Sequence, residues 1–211
     1  MMSFAAFEAH HADYEAWFDK HWAAYTSELL ALRPFVPWEG LGLEIGVGSG
    51  RFAAPLGVQI GLDPSPAMLG HAAARGVHTV QGRGEHLPFA DRSFDHALMV
   101  TSLCFVASVD ATLGEARRVL KPHGPLVIGF IDRASPLGQQ YLRHQSEDVF
   151  YREAKFHSAD EVAARLASNG FTISAWAQTL TRPLGQSQQI EPMQAGHGQG
   201  GFVVVAANAR P

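Results

Sequence analysis

The sequence predicts an α/β fold built on a mostly parallel sheet, and three observations predict it. Short apolar runs alternate with helix-period segments along most of the chain. One early run, Leu41 to Ile45, opens into the glycine-rich stretch Gly46-Val47-Gly48-Ser49-Gly50. A second, Val58 to Leu62, ends in Asp63. Strands that alternate with helices in this way pair in parallel, because each crossover returns the chain to the same end of the sheet.

The elements follow in order. Phe4, Phe7, Tyr14, Trp17, Phe18, Trp22, Tyr25 and Leu29 recur at helical spacing, which predicts one aromatic-faced helix stopped by Pro34 and Pro37. These rings either pack on the body of the protein or fold across a pocket. Strands are expected near Leu41 to Ile45, Val58 to Leu62, Val77 to Gln81, Phe94 to Val100, Leu126 to Ile131, Phe171 to Thr179 and Phe202 to Ala207. The first crossover helix, around Arg51 to Leu56, has room for little more than one turn. Ser65 is placed as an N-cap with Pro66 at the first helical position and Gly76 closing the helix. Ser158-Ala159-Asp160-Glu161 caps a later helix that Gly170 ends. The last strand follows its predecessor with no helix between them, so it is expected to run antiparallel. The expectation is a seven-stranded sheet in one domain, residues 1–211.

The register of the glycines bears on the ligand. A dinucleotide fingerprint needs glycine at the first, third and sixth positions so that a pyrophosphate can sit on the helix N-terminus. Here the sixth position is Arg51, and Glu44 precedes the first glycine. A carboxylate there repels a pyrophosphate and suits a ligand carrying an ammonium and a sulfonium. Asp63, at the carboxyl end of the next strand, stands where a ribose is held by its two hydroxyls.

The stretch Leu43-Glu44-Ile45-Gly46-Val47-Gly48-Ser49-Gly50 resembles motif I of the class I S-adenosylmethionine-dependent methyltransferases. The resemblance continues through Gln81-Gly82-Arg83-Gly84-Glu85-His86-Leu87-Pro88-Phe89 with Asp91 to Asp95, and through Glu115 to Ile128. It is nearest the branch that contains ubiquinone and menaquinone biosynthesis methyltransferases. It implies a Rossmann-like core over 38–211 and a helical lid over 1–37. It also implies S-adenosyl-L-methionine as cofactor, with Glu44, Gly46, Gly48, Gly50, Asp63, Pro64, Gly84, Glu85 and Thr101 as its contacts. Two departures stand out. The segment between Gly50 and Asp63 is shorter than is usual in the family. Where many relatives carry an acid two residues before the glutamate of the third block, this chain has Arg83, which leaves base recognition to backbone amides near Gly84 and Glu85.

The segment 184–201 is too long and too rich in Gly and Gln for a simple hairpin. With a parallel sixth strand it leaves from the sheet edge that carries the glycine turn, so it is expected to stand over the acceptor. Glu191 and His197 within it, with Tyr14, Trp17, Trp22 and Tyr25 of the lid, are then the substrate candidates.

Methyl transfer from a sulfonium needs positioning above all, and positioning can supply roughly 7 to 11 kcal/mol. No metal is expected, since the eleven histidines are scattered without zinc-like spacing. A general base matters only for an acceptor that keeps its proton, and Asp132, Glu191 and His197 are the candidates. Cys104 follows Leu103 rather than a proline and reads as a buried apolar thiol rather than a nucleophile. A net charge of -4 offers no basic field for nucleic acid. No run approaches a membrane span, and the amino terminus lacks the basic start and apolar core of a signal peptide. A single cysteine favours a reducing compartment, so a cytoplasmic protein with a small-molecule acceptor is expected. The second reading is a protein that binds S-adenosylmethionine to sense or regulate without catalysis. A nicotinamide-dependent oxidoreductase ranks third, because of Glu44 and Arg51.

Overall fold

The computed structural model describes residues 4–182 and 188–211. The aromatic amino-terminal segment forms three helices instead of one: α1 (Ala5–Ala9), α2 (His11–Lys20) and α3 (Trp22–Leu32). The breaks fall at His10 and His21, whose backbones leave the helical region at φ -119° and -111°. Splitting the segment lets each piece turn a different side to the protein.

The core then alternates as expected. β1 (Gly42–Ile45), α4 (Ala53–Leu56), β2 (Ile60–Asp63), α5 (Pro66–Ala74), β3 (His78–Gln81), β4 (His96–Val100), α6 (Val109–Val119), β5 (Pro125–Ile131), α7 (Pro136–His144), α8 (Ala159–Ser168) and β6 (Phe171–Thr179) follow one another. β7 (Gln194–Ala195) and β8 (Phe202–Ala209) complete the chain. The sheet order is β3-β2-β1-β4-β5-β8-β6-β7. β1 to β5 pair in parallel, and β8 inserts antiparallel between β5 and β6. The sheet has eight strands where seven were expected, because a two-residue strand in the late loop, β7, pairs with Ala177 and Gln178.

Local chemistry explains the boundaries. The α4 helix is a single turn, ended by Gly57 in the left-handed region at φ 77°. Ser65 caps α5 by accepting from the Met68 amide, with Pro66 at the first position. Ser158 and Glu161 form a reciprocal capping box at the start of α8. Each such cap is worth about 1 kcal/mol.

Strands β1 and β4 are buried throughout, as a parallel sheet covered on both faces requires. Leu43, Ile45 and Met99 face one layer with Leu113 of α6 and Leu166 of α8. Leu98 and Val100 face the other, with Leu32 of α3, Leu56 of α4 and Leu69 of α5. None of the helices is long and apolar enough to cross a membrane, among the described residues.

Candidate active site

The chain runs outward from β1 through β2 to β3, then crosses back to β4 on the other side of β1. The crevice that opens where an α/β sheet reverses its order in this way, beyond the strands' carboxyl ends, is where ligands bind. A cleft lies there, with about 970 Å³ of empty space including its mouth. Its floor is Ile45, Gly46 and Gly48 at the end of β1, Leu62, Asp63 and Pro64 at the end of β2, and Val100, Thr101 and Ser102 at the end of β4.

The glycine turn is pinned to β2. The amides of Gly46 and Val47 both donate to Leu62 O, at 2.7 and 3.0 Å, and the Gly48 amide donates to Asp63 Oδ2 at 2.9 Å. Gly46 and Gly48 both have positive φ, at 76° and 51°, but for different surroundings. A Cβ on Gly46 would sit 2.4 Å from Ser102 Cβ, so that glycine is required by packing. A Cβ on Gly48 would meet only the ends of Met68 and Tyr14, at 3.5 and 3.8 Å, and would project into the cleft. Gly48 therefore leaves the floor of the cleft free of a side chain at this point.

Asp63 holds the junction together. Its Oδ1 accepts from the Ser65 amide and its Oδ2 from the Gly48 amide, both at 2.9 Å. Burial raises its pKa, and the two amide bonds work against that rise. Each carboxylate oxygen keeps a further lone pair for a ligand hydroxyl. Across the cleft, Thr101 has φ 48°, a strained conformation for a non-glycine residue, and its amide donates to Gly129 O at 2.8 Å. Ser102 Oγ donates to Ile45 O at 2.8 Å, tying the ends of β4 and β1 together.

The roof is built from three places. Phe4 and Phe7 come from the amino-terminal segment, and Tyr14 from α2. Phe105, Val106 and Ala107 follow β4. Tyr151 and Glu153 come from the connection between α7 and α8. The rings interlock: Phe7 meets Tyr14 and Phe105 edge to face at 5.5 and 5.0 Å, and Phe105 stacks on Tyr151 at 5.6 Å. Burial holds the Tyr14 and Tyr151 hydroxyls well above the ordinary tyrosine pKa, so both stay neutral. The first segment is latched by Glu8, which accepts from Ser65 Oγ and, at 3.1 Å, from the Ala67 amide at the start of α5. Glu15 pairs with Arg51 at 3.0 Å and also with Arg75.

Of the expected cofactor contacts, Gly46, Gly48, Asp63, Pro64, Gly84, Glu85 and Thr101 line the cleft. Glu44 does not. It is buried beneath the turn toward the Ala53 amide, and burial raises its pKa far above the usual carboxylate range. Gly50 also faces away, since a Cβ there would meet Ala72 Cα at 3.0 Å and not the cleft.

The substrate and base candidates are corrected more heavily. Tyr14 lines the cleft, whereas Trp17 packs on Phe18 and His21, Trp22 is exposed, and the Tyr25 hydroxyl donates to Arg51 O at 2.5 Å. Glu191 is a buried clasp: its Oε2 accepts from the Thr181 amide and hydroxyl, both at 2.8 Å, and its amide donates to Ser27 Oγ at 2.8 Å. His197 lies against the Trp176 ring of β6 at 4.7 Å. Asp132 accepts from the Ala134 amide at 2.9 Å and shapes the turn into α7. None of these three carboxyl or imidazole groups lines the cleft. Of the expected 184–201 loop, residues 184–187 lie outside the described residues. Cys104 is buried with its thiol pushed up to about 12, a packed side chain rather than a nucleophile. Tyr151 and Glu153 carried no sequence signal, because the connection before α8 has no periodicity and no motif, and Phe105 lies in the short irregular stretch between β4 and α6.

A family model described as a methyltransferase domain matches residues 43–128. A solved structure of a SAM-dependent methyltransferase from Thermotoga maritima, described as a possible histamine N-methyltransferase, is 43% identical with a TM-score of 0.96, covering 100% of both chains. The chain belongs to the S-adenosylmethionine-dependent methyltransferases. An uncharacterized protein of Methanocaldococcus jannaschii is 40% identical over 95% of this chain and 97% of its own. Demethylmenaquinone methyltransferase of Tropheryma whipplei is 34% identical over 69% of this chain, which spans 62% of that relative's length. The family's cofactor is S-adenosylmethionine, and the cleft fits it. A side-chain-free approach at Gly48, a half-buried carboxylate at Asp63 and apolar walls at Pro64 and Met68 match a nucleoside bearing a sulfonium.

Proposed function

We propose that the protein transfers the methyl group to a small cationic or flat molecule, with an amine as the favoured acceptor, and that the whole chain acts as one catalytic domain. The observation that carries this reading is the roof of the cleft, where Phe7, Tyr14, Phe105 and Tyr151 surround the approach to Gly46 and Glu153 supplies a carboxylate. Aromatic faces attract a cation by about 0.5 to 2 kcal/mol each when water is excluded. A polymer would need an open basic groove, whereas this cleft is roofed and the chain carries a net charge of -4. The printed description of the Thermotoga maritima neighbour, a possible histamine N-methyltransferase, points to the same acceptor chemistry.

When bound, S-adenosylmethionine supplies an electrophilic methyl carbon. Asp63 would hold the ribose hydroxyls, and Gly48 would admit the ligand close to the backbone. The aromatic roof excludes water and fixes the acceptor in line. Glu153 draws a cationic acceptor to the cleft by its charge, and the proton that must leave before nitrogen can attack is lost to solvent before the acceptor is enclosed.

The test is transfer of labelled methyl groups to a panel of small amines, imidazoles, phenols and quinols beside RNA and protein. Transfer to a small amine that falls at least tenfold in Glu153→Gln supports the reading. Transfer only to a polymer refutes it. Tight cofactor binding without transfer to any member of the panel favours the sensing role instead.

A further inference from the structure

Strand order determines where the base of a bound nucleoside goes. Asp63 ends β2, the glycine turn follows β1 on one side, and β3 lies on the other. A ribose on Asp63 whose 5′ carbon points toward Gly46 directs its base to the turn after β3. There Arg83 and Gly84 line the cleft opposite Pro64, and the His86 amide closes the turn on Arg83 O at 3.1 Å.

Three features of that turn decide what the base meets. Gly84 offers no side chain, and a Cβ there would press on Thr112 Cγ2 at 2.9 Å and Ile45 Cγ2 at 3.0 Å. Glu85 lines the cleft with one oxygen, Oε1, turned to the following loop, where it accepts from the Ala107 amide at 2.5 Å and the Ser108 amide at 3.4 Å. Arg83 is the cationic side chain of the lining, exposed at the rim with its guanidinium 5.8 Å from the centre of the Phe4 ring. A guanidinium has five donors and no acceptor. It finds acceptors in N3 and N7 of any purine and in a 6-oxo group, but none in a 6-amino group or in the protonated N1 of a 6-oxo purine.

We propose that Arg83, with Phe4 across from it, sets base recognition, so that this protein accepts a 6-oxo purine as readily as adenine. The proposal rests on the cleft being the S-adenosyl site. A carboxylate at the same position would accept from the 6-amino group and repel a 6-oxo group. Arg83→Asp therefore reverses the chemistry with an exposed substitution.

The experiment is calorimetric titration of wild type, Arg83→Ala and Arg83→Asp with S-adenosylhomocysteine and its deaminated analogue, S-inosylhomocysteine, with thermal melts to verify folding. Wild type is expected to bind the two within about threefold, and Arg83→Asp to favour the adenosyl form by about tenfold or more, the scale of one charge-assisted bond. Arg83→Ala should fall between them. The proposal is overturned if wild type prefers the adenosyl form by about 30-fold, or if the ratio is the same in wild type and Arg83→Asp. Wild type that binds neither compound would overturn the cofactor-site reading itself, a result distinct from a loss of base selectivity.

Discussion

Asp63→Asn separates the two duties of one carboxylate. In the structure its oxygens receive the Gly48 and Ser65 amides at 2.9 Å each, so both are engaged before any ligand arrives. Asparagine keeps one oxygen and replaces the other with a donor, which leaves one amide without its acceptor. An orphaned buried amide costs about 1 to 3 kcal/mol, and stability should fall by that amount. For binding, charge-assisted bonds of about 1.5 to 3 kcal/mol give way to neutral ones of about 0.5 to 1.5 kcal/mol, so the two proposed ribose contacts together should lose about 2 kcal/mol. That is about 30-fold in Kd. Calorimetric titration with S-adenosylhomocysteine measures the second effect and chemical denaturation the first. Because burial raises the Asp63 pKa, wild-type affinity should also decline as pH falls through that value, while the variant stays flat. A variant with Kd within threefold of wild type would remove Asp63 from the ligand site, and one with unchanged stability would refute the double clamp.

Gly48→Ala adds a methyl group to the cleft and a left-handed strain of about 1 to 2 kcal/mol, so it should abolish cofactor binding in a folded protein. Gly46→Ala drives a Cβ onto Ser102 and should cost about 2 to 5 kcal/mol, read as a melting loss that precedes any binding defect. Glu28 is buried with its pKa raised to about 8 by desolvation alone, so its contribution to stability is full below about 4.5 and disappears as pH rises through 8. Glu28→Gln should therefore melt higher than wild type at pH 9 and show no such gain at pH 5. Glu8 has its pKa lowered chiefly by the Ser65 hydroxyl, so the latch persists until pH falls through that lowered value. Glu8→Gln should release ligand faster in stopped-flow at neutral pH, with the wild-type rate rising toward it only in acid.

What the sequence made legible is what local chemistry dictates. The apolar runs from Leu41 and Val58 could only be buried strands, and Ser65-Pro66 and Ser158 to Glu161 mark helix starts by mechanism. Asp63 and Gly48 were readable because their positions follow from one strand end and one turn. The lid's breaks at His10 and His21 were not, since a continuous aromatic period also fits helices interrupted by a single residue. Chain direction told correctly which end of β6 the late loop leaves, but not how far sideways it lies. With β4, β5 and β8 between β1 and β6, four steps of about 4.8 Å put that loop roughly 19 Å from the glycine turn. Glu153 and Tyr151 entered the cleft through a connection whose course depends on tertiary packing alone.

The late loop, displaced from the cleft, protects the sheet from other chains. β6 is nine residues long, and without a neighbour its outer edge would offer unpaired amides and carbonyls to any extended segment that met it. β7 occupies that edge at Ala177 and Gln178, and the Gly196 amide reaches Trp176 O at 3.0 Å. Gln178 then draws the returning chain inward by accepting from the Gln199 and Gly200 amides at 2.8 and 2.7 Å. The irregularity between Ile173 and Ala175 twists the remaining edge out of a flat register. A segment that could be mistaken for an active-site cover therefore covers an open sheet edge instead, and its removal is expected to show first as self-association, read by light scattering, rather than as lost turnover.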